Sequence, residues 1–176
     1  ALVRFVAEAK KTDPSISIAP RAAGTCMAGG SLTSSISLDT MRYMNTVGAV
    51  SSVSGYSMTP HFPGARPVTV SGEVRVEPGA YYRDLEPKTL EKGLILPCFT
   101  ASKSINALGG MIGNNSGGEL SLKYGKTEDY IKEVDVVFAD GTMEAVREIP
   151  RRAAESRATR GDFVGSVYRG VMDLID

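Results

Sequence analysis

The chain has 176 residues, 42% of them hydrophobic and 23% charged, with 20 Lys plus Arg against 20 Asp plus Glu. That length holds one domain or two small lobes, and a formal charge of zero leaves no footprint for nucleic acid or an anionic membrane surface. Cys26 and Cys98 are too few for a disulfide framework, which points to a reducing, cytoplasmic location. No apolar run reaches the roughly 20 residues of a membrane-spanning helix, so any membrane association is expected to be peripheral, through a parent enzyme.

From the N-terminus, "LVRFVAEAKK" sets Leu2, Phe5, Val6 and Ala9 on one helical face and predicts an amphipathic helix packed on a sheet. It lacks a signal-peptide layout, and without an initiator methionine the chain reads as the interior of a longer protein. "TDPS" breaks the helix, "ISIAP" is a short strand ending at Pro20, and "SSISLDT" alternates as a second strand. Residues 44–67, rich in Ser, Gly and Pro and without a period, are expected to form a long irregular loop. "RPVTVSGEVRVEPG" predicts a hairpin around Ser71-Gly72. "AYYRDLEPKTLEKG" predicts a helix interrupted at Pro87 and stopped by Gly93, and "LILP" a brief apolar strand. "SKSINALGGMIGNNSGG" is expected to start as a helix and dissolve into glycine. "IKEVDVVFADGTMEAV" gives a strand, a turn at Asp140-Gly141 and a second strand. Residues 147–160 read as a surface helix or a disordered stretch, and "FVGSVYRGVMDLID" closes with a weak helical period.

Two stretches of small residues carry the chemistry. "IAPRAAGTCMAGGSL", residues 18–32, follows a strand and contains one arginine and no acid. A strand running into Gly- and Ala-rich backbone exposes peptide N–H groups that bind anions, phosphates above all. Small side chains let the anion approach, an acid would repel it, and Arg21 can add charge. The same glycines would equally serve a tight turn that needs positive φ. The stretch is neither GxGxxG nor GxxxxGK[ST]. "NALGGMIGNNSGG", residues 106–118, repeats the theme. Gly109 and Gly110 permit close approach, and Asn114, Asn115 and Ser116 offer donors and acceptors without charge. Two such loops suggest two walls of one elongated polar cofactor site.

At these residues the sequence resembles the FAD-binding domain of the FAD-linked oxidases, the family of vanillyl-alcohol oxidase and p-cresol methylhydroxylase. The branch it looks like is that of D-lactate dehydrogenase and the glycolate oxidase flavin subunit. "PRAAGTCMAGGSL" is similar to that family's pyrophosphate loop, commonly Pro-Arg-Gly-Ala-Gly-Thr-Ser-Leu-Ala-Gly-Gly. "LGGMIGNNSGGELSLKYGKTEDYIKEVDVVFADG" resembles its second FAD motif, and "VRVEPGAYYRDLEPKTLEKGLILP" its linking strand, helix and strand. The resemblance covers nearly all of residues 1–147, and the three blocks stand in the family's order.

The resemblance implies an α+β, two-lobed FAD-binding domain, with residues 1–96 as the first lobe and 97–176 as an incomplete second. The family's closing Gly-Ser-Glu-Gly-Thr-Leu-Gly segment and its substrate-binding cap are absent, so the chain looks truncated at its C-terminal end. Pro20, Arg21, Ala22, Ala23, Gly24, Thr25 and Cys26 would cradle the pyrophosphate. Gly109, Gly110, Asn114, Asn115 and Ser116 would form the second wall, and Ile131 would lie against the adenine end. The cofactor would be FAD, held non-covalently, because Thr25 stands at the loop position matched to a flavin-linking histidine. The parent enzyme would move a hydride from the α-carbon of a small 2-hydroxy acid such as D-lactate or glycolate to the flavin, with a cap domain or partner subunit completing it. Two other readings stay open: a non-catalytic FAD-binding fragment or subunit, and a remnant that no longer binds FAD.

Departures from the family pattern are Ala22 for glycine, Cys26 for serine, Ala107 for threonine and Glu128 for arginine. Phe99, Thr100, Ala101 and Ser102 stand for Asp-Pro-Ser-Ser, which is expected to remove part of the polar wall. His61, the only histidine, reads as a surface residue, Cys98 as a buried small residue, and Tyr81 and Tyr82 as packing residues. No catalytic base and no metal-binding cluster stands out, and the chain alone is expected to be inactive.

Overall fold

The structure is a computed structural model in which residues 1–175 are described. The helices are α1 (Leu2–Ala9), α2 (Tyr82–Leu90), α3 (Leu108–Gly113), α4 (Ser121–Tyr124), α5 (Arg151–Ala158) and α6 (Phe163–Ile175). The strands are β1 (Ile18–Arg21), β2 (Ile36–Asp39), β3 (Ser51–Met58), β4 (Val68–Glu73), β5 (Val134–Val137) and β6 (Met143–Val146). They form three two-stranded sheets: β1–β2 is parallel, and β3–β4 and β5–β6 are antiparallel. The class is α+β, and no helix among the described residues is long and apolar enough to cross a membrane.

By its contacts the chain divides into two compact units, Ala1–Ser17 with Ile131–Asp176, and Ile18–Tyr130. The lobe boundary expected at 96/97 falls inside the second unit, where α2 and the segment after it share one core. Tyr82, Leu85, Cys98, Leu108 and Met111 form that core, and the Tyr82 hydroxyl donates to the Leu96 carbonyl at 2.7 Å.

In the first unit, α1 buries Val6, and the Arg4 guanidinium donates to the Gly141 carbonyl at the β5–β6 turn (3.3 Å). That turn is the predicted one at Asp140-Gly141, with Gly141 at φ +83°. Residues 151–158 of the charged stretch are helical. α5 and α6 are joined by the Arg157 guanidinium on the Tyr168 hydroxyl (2.7 Å), and Phe138 meets Phe163 edge-on at 6.4 Å.

Several expectations are corrected in the second unit. Residues 51–58, expected as loop, are β3; apolar alternation is missing because only Val53 and Met58 are half-buried, and pairing with β4 makes the strand. Ser71-Gly72 is not a turn: Gly72 pairs with Ser52, and a Cβ there would lie 2.4 Å from Leu94 Cδ1, so glycine lets β4 pass beneath that side chain. Leu94 to Pro97 has no strand partner, and Leu96 spends its carbonyl on Tyr82. The glycines of "LGGMIG" are themselves the helix α3 rather than its end.

Helix α2 runs through Pro87, where an interruption was expected, and Tyr82, Leu85 and Thr89 point inward. Gly93 ends it at φ +67°, with Gly93 N–H on Leu90 O (2.9 Å) and Leu94 N–H on Thr89 O (3.0 Å), a Schellman closure.

Candidate functional site

β1 and β2 are parallel, so the chain cannot turn tightly between them and must leave the sheet and return. Residues 22–35 make that excursion, and they contain the first glycine loop. At its root Thr40 donates its amide (2.9 Å) and its hydroxyl (3.2 Å) to the Arg21 carbonyl. Beyond this clamp Gly24 adopts φ +70°. Among the described residues, the amides of residues 22–26 donate to no protein acceptor. A run of free N–H groups beside a residue in the left-handed region is a concavity suited to an anion.

The Arg21 side chain folds back over this loop: a Cβ on Gly24 would stand 2.8 Å from one guanidinium nitrogen. Among the described residues Arg21 has no carboxylate partner, so its charge is available to the cavity. Further along, the N–H groups of Gly30 and then Ala28 face the Cys26 thiol and hold it below the ordinary thiol range, with a smaller contribution from the Asn114 side chain.

α3 forms the opposite wall. Its first turn is pinned by Leu108 N–H on Ala80 O (2.8 Å) and Gly109 N–H on Pro78 O (2.9 Å). A Cβ on Gly109 would come within 2.6 Å of Pro78, so this close approach requires glycine. A Cβ on Gly110 would lie 3.6 Å from that of Ala22, which measures how near the two walls come. Asn115, at φ +45°, ends α3 through Asn115 N–H on Ile112 O (3.1 Å) and Ser116 N–H on Met111 O (2.9 Å).

The two walls enclose a cavity of about 540 Å³, within the size range of small-molecule sites. The residues from Pro20 to Cys26 line it, as do Gly109, Gly110, Asn114 and Ser116. Asn115 and Ile131 do not: the Asn115 side-chain oxygen accepts the Glu128 amide (3.0 Å), and Ile131 begins a segment of the other unit.

Sequence reading missed several lining residues. Thr100, Ser102 and Asn106 stand on the cavity wall, so the polar surface expected to be lost from residues 99–102 is present. Thr40 and Ser31 also line it. Thr100 and Ser102 lie outside both glycine blocks, and only the chain path from Cys98 to α3 brings them round. Among the described residues, Arg21 and Cys26 are the only titratable side chains that line the cavity.

His61 lies apart from this lining. It is exposed, and its amide and Nδ1 both meet the buried Asp129 carboxylate at 2.8 Å. Cys98 is fully buried, and burial pushes its thiol up to about 11. Tyr82 is in the core, while Tyr81 stacks under the Arg83 guanidinium at 3.8 Å.

Backbone amides offered from a glycine loop beside a polar wall are an arrangement suited to a phosphate-bearing cofactor. Residues 1–147 match the family model described as FAD binding domain, and the chain belongs to that family. Its cofactor is FAD. The chain is 41% identical over 68 residues to the glycolate oxidase subunit GlcD of Bacillus subtilis, across 39% of this chain and 14% of that protein. It is 27% identical over 157 residues to the D-2-hydroxyglutarate dehydrogenase of Escherichia coli, across 89% of this chain and 14% of that one. The matched segments span about a seventh of the length of these relatives, 14% of each. Its fold is similar to that of 6-hydroxy-D-nicotine oxidase from Arthrobacter nicotinovorans, with TM-score 0.57 and 21% identity over 86% of this chain and 30% of that one.

The residues present fit the cofactor. Free amides at 22–26 and an unpaired cation suit a diphosphate, and the neutral wall of Thr100, Ser102 and Asn106 suits hydroxyl-bearing groups.

Proposed function

We propose that this chain is the FAD-holding part of an oxidoreductase that oxidises a 2-hydroxy acid, with FAD held non-covalently between the 20–26 loop and α3. The observation that carries the reading is that residues 22–26, whose amides donate to no protein acceptor among the described residues, line one cavity together with residues of α3. The named activities of the two relatives, on glycolate and on D-2-hydroxyglutarate, support the substrate class.

When FAD is bound, it supplies the hydride-accepting chemistry. The chain's own residues bind and orient. The amides of residues 22–26 and Arg21 neutralise a diphosphate, and Gly109 and Gly110 bring the second wall close enough to enclose it. The substrate proton has no acceptor in this lining: it contains no carboxylate and no histidine, and its one thiol is occupied by backbone N–H groups. The general base and the hydroxy-acid site are therefore assigned to other parts of the whole enzyme.

Reconstitution tests both halves. The purified chain mixed with FAD is expected to keep a flavin spectrum through gel filtration and to reduce no dye with D-lactate, glycolate or D-2-hydroxyglutarate. A colourless chain overturns the cofactor-site reading. Dye reduction above a protein-free control overturns the assignment of the base elsewhere.

A further inference from the structure

A second cavity, of about 610 Å³, lies wholly within the Ile18–Tyr130 unit, and among the described residues it shares no lining with the cavity described above. One wall is the far limb of the connection between β3 and β4 together with the start of β4, residues 64 and 66–69. The other wall is residues 122–124 of α4. The near limb of the connection is tied down. The His61 amide and ring Nδ1 both meet the Asp129 carboxylate at 2.8 Å, and the Lys126 amide donates to the same group (2.9 Å). A Cβ on Gly125, the residue that ends α4, would come within 2.7 Å of Pro60. The turn after α4 thus anchors the connection, and the two walls stand apart beyond that anchor.

The lining carries two cations, Arg66 and Lys123, and no acidic side chain. Both are exposed, and among the described residues neither has a carboxylate partner. The Lys123 ammonium lies 4.8 Å from the centre of the Tyr124 ring, which is itself part of the lining. The rest of the surface is largely apolar: Pro67, Val68 and Leu122, the last 91% exposed. Two unpaired charges of one sign on a single cavity call for an anion, and the guanidinium fork matches a carboxylate in particular. Apolar side chains left open to water beside those charges call for hydrocarbon on the same molecule.

We propose that this cavity is a binding site for a small organic carboxylate with an apolar body, its charge held by Arg66 and Lys123 and its body covered by Pro67, Val68 and Leu122. The lining contains no carboxylate, histidine or thiol to take a proton, so the acid is bound here and not turned over. The proposal is independent of the FAD site, because the two linings have no residue in common. The sequence hid it: Arg66 lies in the stretch without a period, Lys123 lies far along the chain, and only the fold sets them on one cavity.

The test uses the full 176-residue chain without cofactor and benzoate as the probe. Benzamide serves as its uncharged counterpart, and inorganic phosphate as an anion without an apolar body. Binding is read from backbone amide shifts by NMR, which also locates it. Benzoate is expected to bind in about the millimolar range, with shifts centred on residues 64–69 and 122–124. Benzamide and phosphate are each expected to bind at least about threefold more weakly. Arg66→Gln and Lys123→Gln should each weaken benzoate about threefold, and the loss should shrink as salt is raised. Neither substitution should move the melting temperature, since neither side chain fastens another part of the chain, and either variant decides alone if the other does not fold. Benzoate shifts that are absent, or that centre elsewhere, overturn the proposal. Benzamide or phosphate binding as tightly as benzoate overturns it as well, the first by removing the charge requirement and the second by removing the apolar one. Unchanged benzoate affinity in folded Arg66→Gln and Lys123→Gln overturns the assignment of the two cations.

Discussion

The Arg21 guanidinium lies directly over the backbone of Gly24, with two of its nitrogens and its central carbon 2.8–3.1 Å from where a Cβ on that glycine would be. The charge of the loop and its tightest backbone position are thus one feature. A side chain at residue 24 must displace the guanidinium, and it must also tolerate φ +70°, which costs a non-glycine residue about 1–2 kcal/mol and a β-branched one more. Gly24→Val is therefore expected to lower FAD affinity at least about a hundredfold. Arg21→Ala leaves the amides in place and should weaken FAD only about tenfold or less, with the loss shrinking as salt is raised. Equilibrium titration with FAD at two ionic strengths, beside circular dichroism, separates the two. Normal binding by Gly24→Val would mean that the loop is only a turn.

The two cysteines are expected to react very differently. Gly30 and Ala28 N–H groups favour the Cys26 thiolate, whereas burial pushes the Cys98 thiol up to about 11. Alkylation by iodoacetamide should modify Cys26 at pH values below the usual thiol range and leave Cys98 untouched until the chain unfolds. Saturating FAD should slow the Cys26 reaction, since that residue lines the cavity. Cys26 and the FAD should still part on acid precipitation, leaving flavin in the supernatant; colour in the pellet would show a covalent link. Peptide mass spectrometry reads the first result, and absorbance the second.

Acid should loosen α6. Asp162 precedes the helix, accepts the Gly165 amide at 2.8 Å and pairs with Arg160. The Gly165 N–H first, and then Arg160, hold its carboxyl below the usual carboxylate range. A depressed folded-state value means stability that is present above the unfolded carboxylate pKa and is lost as pH falls through the folded one. Asp162→Ala should therefore lower the melting temperature at pH 7 and make little difference near pH 2. A deficit that persists undiminished in acid would assign the effect to packing rather than to the cap and ion pair.

Much of this was legible in the sequence. The two glycine stretches announced the cavity because small residues and missing acids are visible without coordinates; the β5–β6 hairpin announced itself by Asp140-Gly141, and α1 by its period, although Leu2 and Phe5 of the face expected to pack are exposed. What failed depended on partners distant in sequence. β3 has no alternation of its own and exists through β4. Gly72 is explained by Leu94, and Gly109 by Pro78. Asn115 reads as a polar site residue until its left-handed φ of 45° shows it closing α3. Thr100, Ser102 and Asn106 had no spacing to single them out, because only the folded path carries them to the cavity.

His61 illustrates the same limit from the other side. As the lone histidine it invites a catalytic role, yet its partner decides what it does. The Asp129 side chain is 2% exposed and accepts three N–H groups, from the His61 backbone (2.8 Å), the His61 ring (2.8 Å) and the Lys126 backbone (2.9 Å). The imidazole itself is 73% exposed. Two of the three bonds are to backbone and survive any change of the histidine side chain. His61→Ala should therefore cost no more than about 0.5 kcal/mol, as exposed pairs do. Asp129→Ala strips all three donors of their acceptor beside a buried site and should cost about 2–3 kcal/mol. Asp129→Asn, which keeps the shape and one carbonyl oxygen, should fall between them. Urea unfolding of the three variants gives the order directly. If His61→Ala proves as damaging as Asp129→Ala, the imidazole rather than the carboxylate is what fastens the connection between β3 and β4 to the turn at residues 126–130.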